Sequence, residues 1–291
     1  MHITQFATSI HLCFGSEVWG TELLKPLLSN NLAKLDRLSC EKILNKFCKI
    51  TLGVNKKSIN SAVRNELACY PIAIDIIYSV LNYENRLASL NDNSIVYNAY
   101  LDEVNSLNVQ SNRWLNSVTH LKRLSGSDNP SAIKKYLLDR YMSSLDNQFQ
   151  HSPRLKFYNL FRPNNFKLPE YLKIRNPVLR RAIAKFRISA HNLGVLTAKY
   201  ANDPNIGICS TCNVTEDEIH VLLHCPKHEN LRGPIITRLE EIIGHDFELL
   251  SNDGKAISIM SCSDIDFMKC VGRFLTCILL SKRKTPEETP G

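Results

Sequence analysis

Between residues 209 and 225 the chain reads CSTCNVTEDEIHVLLHC, three cysteines and two histidines in seventeen residues. Cys-x2-Cys spacing lets one tight turn offer two thiolates, and zinc takes four nitrogen or sulfur ligands at tetrahedral corners. Cys209 and Cys212 supply that turn. The other two ligands can be drawn in three ways: His220 with Cys225, His220 with His224, or Cys225 with His228. His220 and His224 are four apart and would share a helix face. Each set closes the shell, which predicts one structural Zn2+ with no open position for water or substrate. Such an ion would fold a segment too short to bury enough apolar surface alone. Thr215 and Glu218 fit a capping box for a helix over about 216–224. Glu216, Asp217 and Glu218 then sit in its first turn, where they favour the dipole rather than catalysis. A redox pair at Cys209 and Cys212 would want a strand-turn-helix context that the flanking residues do not offer. The plain alternative is three buried cysteines in a small helical cap.

Directly upstream lies the chain's densest positive charge. Residues 151–200 hold eleven Lys/Arg and a single acid, Glu170, a local balance of +10 against +8 for the whole chain. The other 241 residues balance at −2. Within this run, PVLRRAIAKFRISAHNLGV reads as a helix over 178–193. Leu179, Ala182, Ile183, Phe186, Ile188 and Leu193 form its apolar stripe, and Arg180, Arg181, Lys185, Arg187 and His191 its basic set. No acid stands at i±3 or i±4 to neutralise them. A polyanion is therefore the expected partner, held through phosphates and sensitive to salt. Lys173, Arg175 and Lys199 extend the candidate nucleic-acid-binding set. Phe157, Tyr158, Phe161, Phe166 and Tyr171 interleave the connector and could stack on unpaired bases; taken singly, they read as core.

The elements that must position these residues are helical almost throughout. Apolar residues recur at helical spacing over 32–52, 59–69, 73–90, 95–107, 114–124, 130–149, 231–243 and 264–281. Asn108–Ser111 reads as a break, SGSDNP at 125–130 as a linker-like turn cluster, and 151–176 as an ordered but irregular connector. The composition, with 11 glycines and 12 prolines in 291 residues, suits long helices. No run nears the eighteen or so apolar residues that span a membrane. The N-terminus lacks a basic n-region and a small-residue cleavage site. The expectation is an intracellular protein of nucleus or cytoplasm. The other seven cysteines (13, 40, 48, 69, 262, 270 and 277) sit in apolar helical surroundings and read as core.

Taken in order, GSEVWG at 15–20, FCKITLGVNKKSINSAVRNELACYPIAIDI at 47–76, LPEYLK, LRRAIAKFRISAHNLGV and Cys-x2-Cys-x7-His-x4-Cys followed by Pro226 resemble the C-terminal portion of LINE-type (non-LTR) retrotransposon reverse transcriptases. The resemblance implies thumb-side helices beginning near GSEVWG and a C-terminal zinc knuckle that binds nucleic acid. It implies Cys209, Cys212, His220 and Cys225 as the ligands, and places Arg180, Arg181, Lys185, Arg187 and His191 on the family's basic helix. The chain departs from the family in several ways. Ala68-Cys69 stands where Gly-Arg is common, and Ala precedes Lys199-Tyr200 where Gly is usual. No Asp-Asp occurs anywhere, so the paired carboxylates that hold a polymerase's two metal ions are missing. Asp264-Ile-Asp266 reads as a polar turn opening the last helix.

The expectation is thus a mainly α multi-helix array with a small CCHC zinc-knuckle-like subdomain. Its divisions are 1–124 thumb-like, 125–150 linker and helix, 151–200 basic, 201–232 knuckle, 233–281 C-terminal helices and a disordered tail over 282–291. The chain reads as a fragment that binds RNA and/or DNA without enzymatic activity, membrane or small-molecule substrate, with a separate polymerase chain as a further candidate partner. The rival expectations are a helical interaction module whose basic face meets an acidic protein, and a non-functional retroelement remnant.

Overall fold

The computed structural model describes residues 15–29, 31–105, 113–163, 166–201, 203–244 and 246–282. The expected break at 108–111, Cys13 and nearly all of the expected tail lie outside them. Among the described residues the chain is mainly helical and has no strand, only one isolated antiparallel bridge, Ile208 to Thr215. No helix is long and apolar enough to cross a membrane.

The chain divides into two compact units, residues 1–47 with 69–148, and residues 48–68 with 149–291. SGSDNP therefore lies inside the first unit rather than between domains. That unit holds the long helices Ile72–Ala88, Ile95–Asn105 and Arg113–Ser125 and most of Pro130–His151. The GSEVWG stretch forms a short helical run against Ile72–Ala88. Gly20 is needed there because a Cβ would come within 2.8 Å of both Ile76 and Val80. Trp114 Nε1 donates to the Glu17 carbonyl at 2.7 Å, and Glu41 Oε1 accepts from the Ala73 N–H at 2.9 Å.

The second unit carries the features singled out above. Its frame is the helix Pro177–Arg187 packed on the C-terminal helix Ile265–Ser281, with Glu229–Ile243 against the same partner. Ile183, Phe186, Phe267, Val271 and Leu275 are wholly buried there. The close crossing depends on Gly272, whose Cβ would stand 2.8 Å from that of Leu179. Asn176 caps the basic helix by accepting from the Val178 N–H, and Asp264 caps the last helix by accepting from Phe267 N–H at 2.6 Å.

Several boundaries differ from the periodicity. The helix expected over 32–52 is two, Leu32–Leu35 and Ser39–Leu52. The one expected over 178–193 stops at Arg187, because Ser189 takes a left-handed φ of 50° and the Ala190 N–H turns back to the Lys185 carbonyl at 2.8 Å. A new helix, Gly194–Ala201, starts where that one was expected to end. Asn252–Ser261, with Ala256, Ile259 and Met260 buried, has no counterpart in the reading by pattern. Cys40 and Cys48 are buried as expected; Cys277 is exposed, because its helix turns Ile278 and Leu279 inward instead.

Candidate metal centre and basic face

Cys209, Cys212, His220 and Cys225 converge, each offering one ligand atom, and those atoms all lie within 4.8 Å of one another. The Cys225 Sγ stands 3.8 Å from Cys209 Sγ and 4.0 Å from Cys212 Sγ. A tetrahedron with metal–sulfur bonds of about 2.3 Å has sulfur–sulfur edges of about 3.8 Å. Cys209, Cys225 and His220 are buried, and His220 Nε2 is buried with no hydrogen-bond partner. An orphaned imidazole nitrogen beside three sulfurs fits a fourth ligand and is otherwise costly. The four residues can hold one metal ion. His224 is exposed and His228 packs edge-on against Phe274, so neither joins the group.

The local backbone explains the convergence. Residues 207–216 make a small hairpin-like knuckle: Cys209 N–H donates to the Val214 carbonyl at 2.7 Å and Glu216 N–H to that of Gly207 at 2.8 Å. Asn213 closes the turn with a left-handed φ of 55°, a conformation asparagine tolerates. The helical segment that follows is wound as a π-helix over His220–His224, with Cys225 N–H bonded to the His220 carbonyl at 2.8 Å. In an α-helix residues five apart diverge by about 140°. The wider π turn brings Cys225 back beneath His220, which is how a pair five apart can share one ion.

The capping expectation fails in detail. Asp217, not Thr215, caps this segment, its Oδ1 accepting from His220 N–H at 2.7 Å. Glu218 is buried and accepts from the Ser189 hydroxyl at 2.6 Å and pairs with His191 Nε2 at 2.9 Å. Burial works against the Glu218 charge, but the His191 and Ser189 contacts outweigh it and hold the carboxyl below its ordinary pKa. Glu216 is also buried; it accepts from the Gly194 N–H at 2.8 Å and pairs with Lys282. The two carboxylates knit the knuckle to its unit, because the local helix has no use for them.

The thiols are electrostatically uneven. Burial opposes ionisation of Cys209, yet the N–H groups of Thr211 and Cys212, the His220 ring and the Cys225 thiol outweigh it and draw its pKa down to about 6. Burial and the two neighbouring sulfurs push Cys212 up to about 11. Crowded thiols cannot all ionise without a cation, and a divalent metal supplies one. Arg232 lies at the same site, donating from Nη1 to the Leu223 carbonyl at 2.5 Å and from Nη2 to that of Cys225. It holds the end of the π turn that carries the last ligand.

No protein-family model, curated protein or solved structure matches this chain.

The candidate nucleic-acid residues separate by burial. Lys173, Arg175, Arg181 and Lys199 are exposed, and Arg180 and Lys185 partly so. Arg180 Nη1 donates to the Ile174 carbonyl at 3.0 Å, and Lys173 pairs with Glu170 at 2.5 Å. Arg187 and His191 are corrections to the expected set. Arg187 is 1% exposed, its Nε 2.5 Å from Glu66 Oε1, with the Met260 and Phe161 carbonyls as further acceptors. His191 is buried on Glu218. Neither can reach a phosphate, because a buried charge must be paired inside the fold. Phe157, Tyr158, Phe161 and Tyr171 are buried too, so these four offer no stacking platform. Glu66 and Arg232 had no signal in the sequence. Asp217 had one, an acid three residues before the first helical ligand.

Proposed function

We propose that this chain is a nucleic-acid-binding module of the kind that ends LINE-type reverse transcriptases, with one structural zinc and no polymerase chemistry of its own. The observation that carries this reading is the second unit's composition. It holds exposed Lys173, Arg175, Arg181 and Lys199, and part-exposed Arg180 and Lys185, in the same unit as one Cys3His cluster. Three sulfurs and an imidazole at tetrahedral spacing favour zinc over hard cations, which prefer oxygen. The ion's contribution is structural: it ties the 207–216 knuckle to the π turn. The residues themselves do the binding. Guanidinium and ammonium groups on the outer side of Pro177–Arg187 neutralise phosphates, and the helix's buried stripe keeps them turned outward.

These 291 residues hold no Asp-Asp pair, which supports a binding rather than a polymerase role for them. The test is titration of the zinc-loaded protein with single-stranded RNA and DNA at two salt concentrations. Binding that falls steeply with salt is expected, and Arg180→Ala/Arg181→Ala/Lys185→Ala should weaken it by at least about tenfold. Unchanged affinity in the triple variant would overturn the reading. So would absence of nucleic-acid binding together with capture of an acidic protein, the outcome an interaction module predicts.

A further inference from the structure

The run of charge at 151–200 has a counterpart far upstream. Residues 42–65 carry Lys42, Lys46, Lys49, Lys56, Lys57 and Arg64 with no acid among them. The part of this run from Cys48 onward belongs to the second unit, with the basic helix.

There, the helix Ser39–Leu52 ends in a Schellman-type turn. Gly53 takes a left-handed φ of 65°, and Val54 N–H reaches back to the Lys49 carbonyl at 3.0 Å. Gly53 is required for a second reason. A Cβ on it would lie 2.5 Å from Arg181 Cδ, so the aliphatic stem of Arg181 lies directly over this glycine. Three and four residues on, Lys56 and Lys57 stand exposed in the next turn, closed by the Ser58 N–H on the Asn55 carbonyl at 3.2 Å. The turn is fixed from two sides. Lys49 Nζ donates to the Lys56 carbonyl at 2.8 Å. Arg154 donates to the Lys57 carbonyl at 3.2 Å and, from its other terminal nitrogen, to the Ser189 carbonyl at 3.4 Å, just past the end of the basic helix. Arg154 also lines a cavity with Asp217 and Asp253.

We propose that Lys56 and Lys57 continue the phosphate-binding face of Arg181, so that one nucleic-acid strand is held by two chain segments brought together by folding. This rests on the nucleic-acid reading above and extends it to residues outside the basic run. The chemistry favours a polyanionic backbone over an acidic protein. The exposed residues of the turn, Asn55, Lys56 and Lys57, offer charge and hydrogen bonds and no aromatic or aliphatic anchor. Protein interfaces depend on such anchors, whereas phosphate binding needs only cations at a spacing the backbone can follow. A turn pinned at two carbonyls also presents its lysines with less disorder to lose on binding.

The experiment compares the zinc-loaded full chain with Lys56→Gln/Lys57→Gln, using labelled single-stranded RNA and DNA and a DNA duplex over a range of KCl. Both lysines are exposed in a turn held by backbone bonds, so the variant's thermal melt should match the wild type. The expected result is weaker binding to all three probes, with the slope of log K against log salt shallower by about 1.4 on single strands and about 1.8 on the duplex. Wild-type binding with the variant's affinity and slope unchanged would overturn this inference and leave the nucleic-acid reading standing. No binding by the wild-type chain would overturn both. Loss of poly-glutamate binding in the variant, with nucleic-acid binding intact, would assign the turn to an acidic protein and also overturn it.

Discussion

His220 and Cys225 complete the candidate metal centre, one of the three sets that spacing left open and the one the resemblance implied. Four-apart His220 and His224 look like the natural pair on a helix face, but the π turn moves Cys225 under His220 and leaves His224 exposed. The Cys-x2-Cys turn was legible because a two-residue spacer fixes its own geometry; spacing alone left the second pair among three sets, because it does not tell α from π winding, and Arg232 holds the last carbonyls of the π turn. The expected outcome is about one zinc per purified chain by elemental analysis, lost in Cys209→Ser and in His220→Ala. His224→Ala should keep it. Zinc retained in His220→Ala would show that another nitrogen completes the shell.

Among the elements, the basic helix was found by its apolar period, but it ends at Arg187 instead of 193, and Arg187 and His191 of its expected basic set are buried. Arg187 lies in an acid-free run, and although it follows Leu179 by eight residues and Ile183 by four, at the edge of the apolar stripe, no nearby acid marks it as paired. Its partner Glu66 is 121 residues away, on the short helix Asn60–Glu66. Tyr171 donates to the same Glu66 oxygen at 2.8 Å. Burial opposes the Arg187 charge, but Glu66 more than offsets this and raises its pKa; burial and the Glu66 charge together lift Tyr158 and Tyr171 well above the ordinary phenol value. Removing one partner strands the other. Glu66→Gln should cost about 3–5 kcal/mol in urea denaturation, and Glu66→Leu/Arg187→Leu should cost less than the two single changes summed, because the double change leaves no orphan charge. Strict additivity would show that the pair does not act as a unit.

For the whole molecule, two consequences follow from the division into units. The second unit takes in residues 48–68 from the N-terminal part, a discontinuity that no reading along the chain could anticipate. It also contains the whole metal cluster, so metal removal should act there. On chelation, hydrogen exchange should accelerate across residues 204–232 and their contacts in Glu229–Ile243, while Ile72–Ala88 in the first unit keeps its protection. Equal loosening of both units would contradict this assignment of the metal's role.

The sequence by itself determined what depends on near neighbours. Helical class follows from apolar residues recurring every three to four positions. The Cys-x2-Cys turn, a last helix opening at Asp264, and the presence of a strongly basic helix with one apolar side follow in the same way. Each is settled within a turn or two of backbone, where spacing and geometry are nearly the same thing. Tertiary structure alone decided which cations stay outside, which carboxylates leave their helix to hold the knuckle, and that the Gly53 turn meets Arg181. Those outcomes depend on which buried charge finds a partner and which glycine lets two segments touch. Such contacts join residues 22 positions apart, as Gly194 and Glu216, and 121 apart, as Glu66 and Arg187, and no local pattern encodes them.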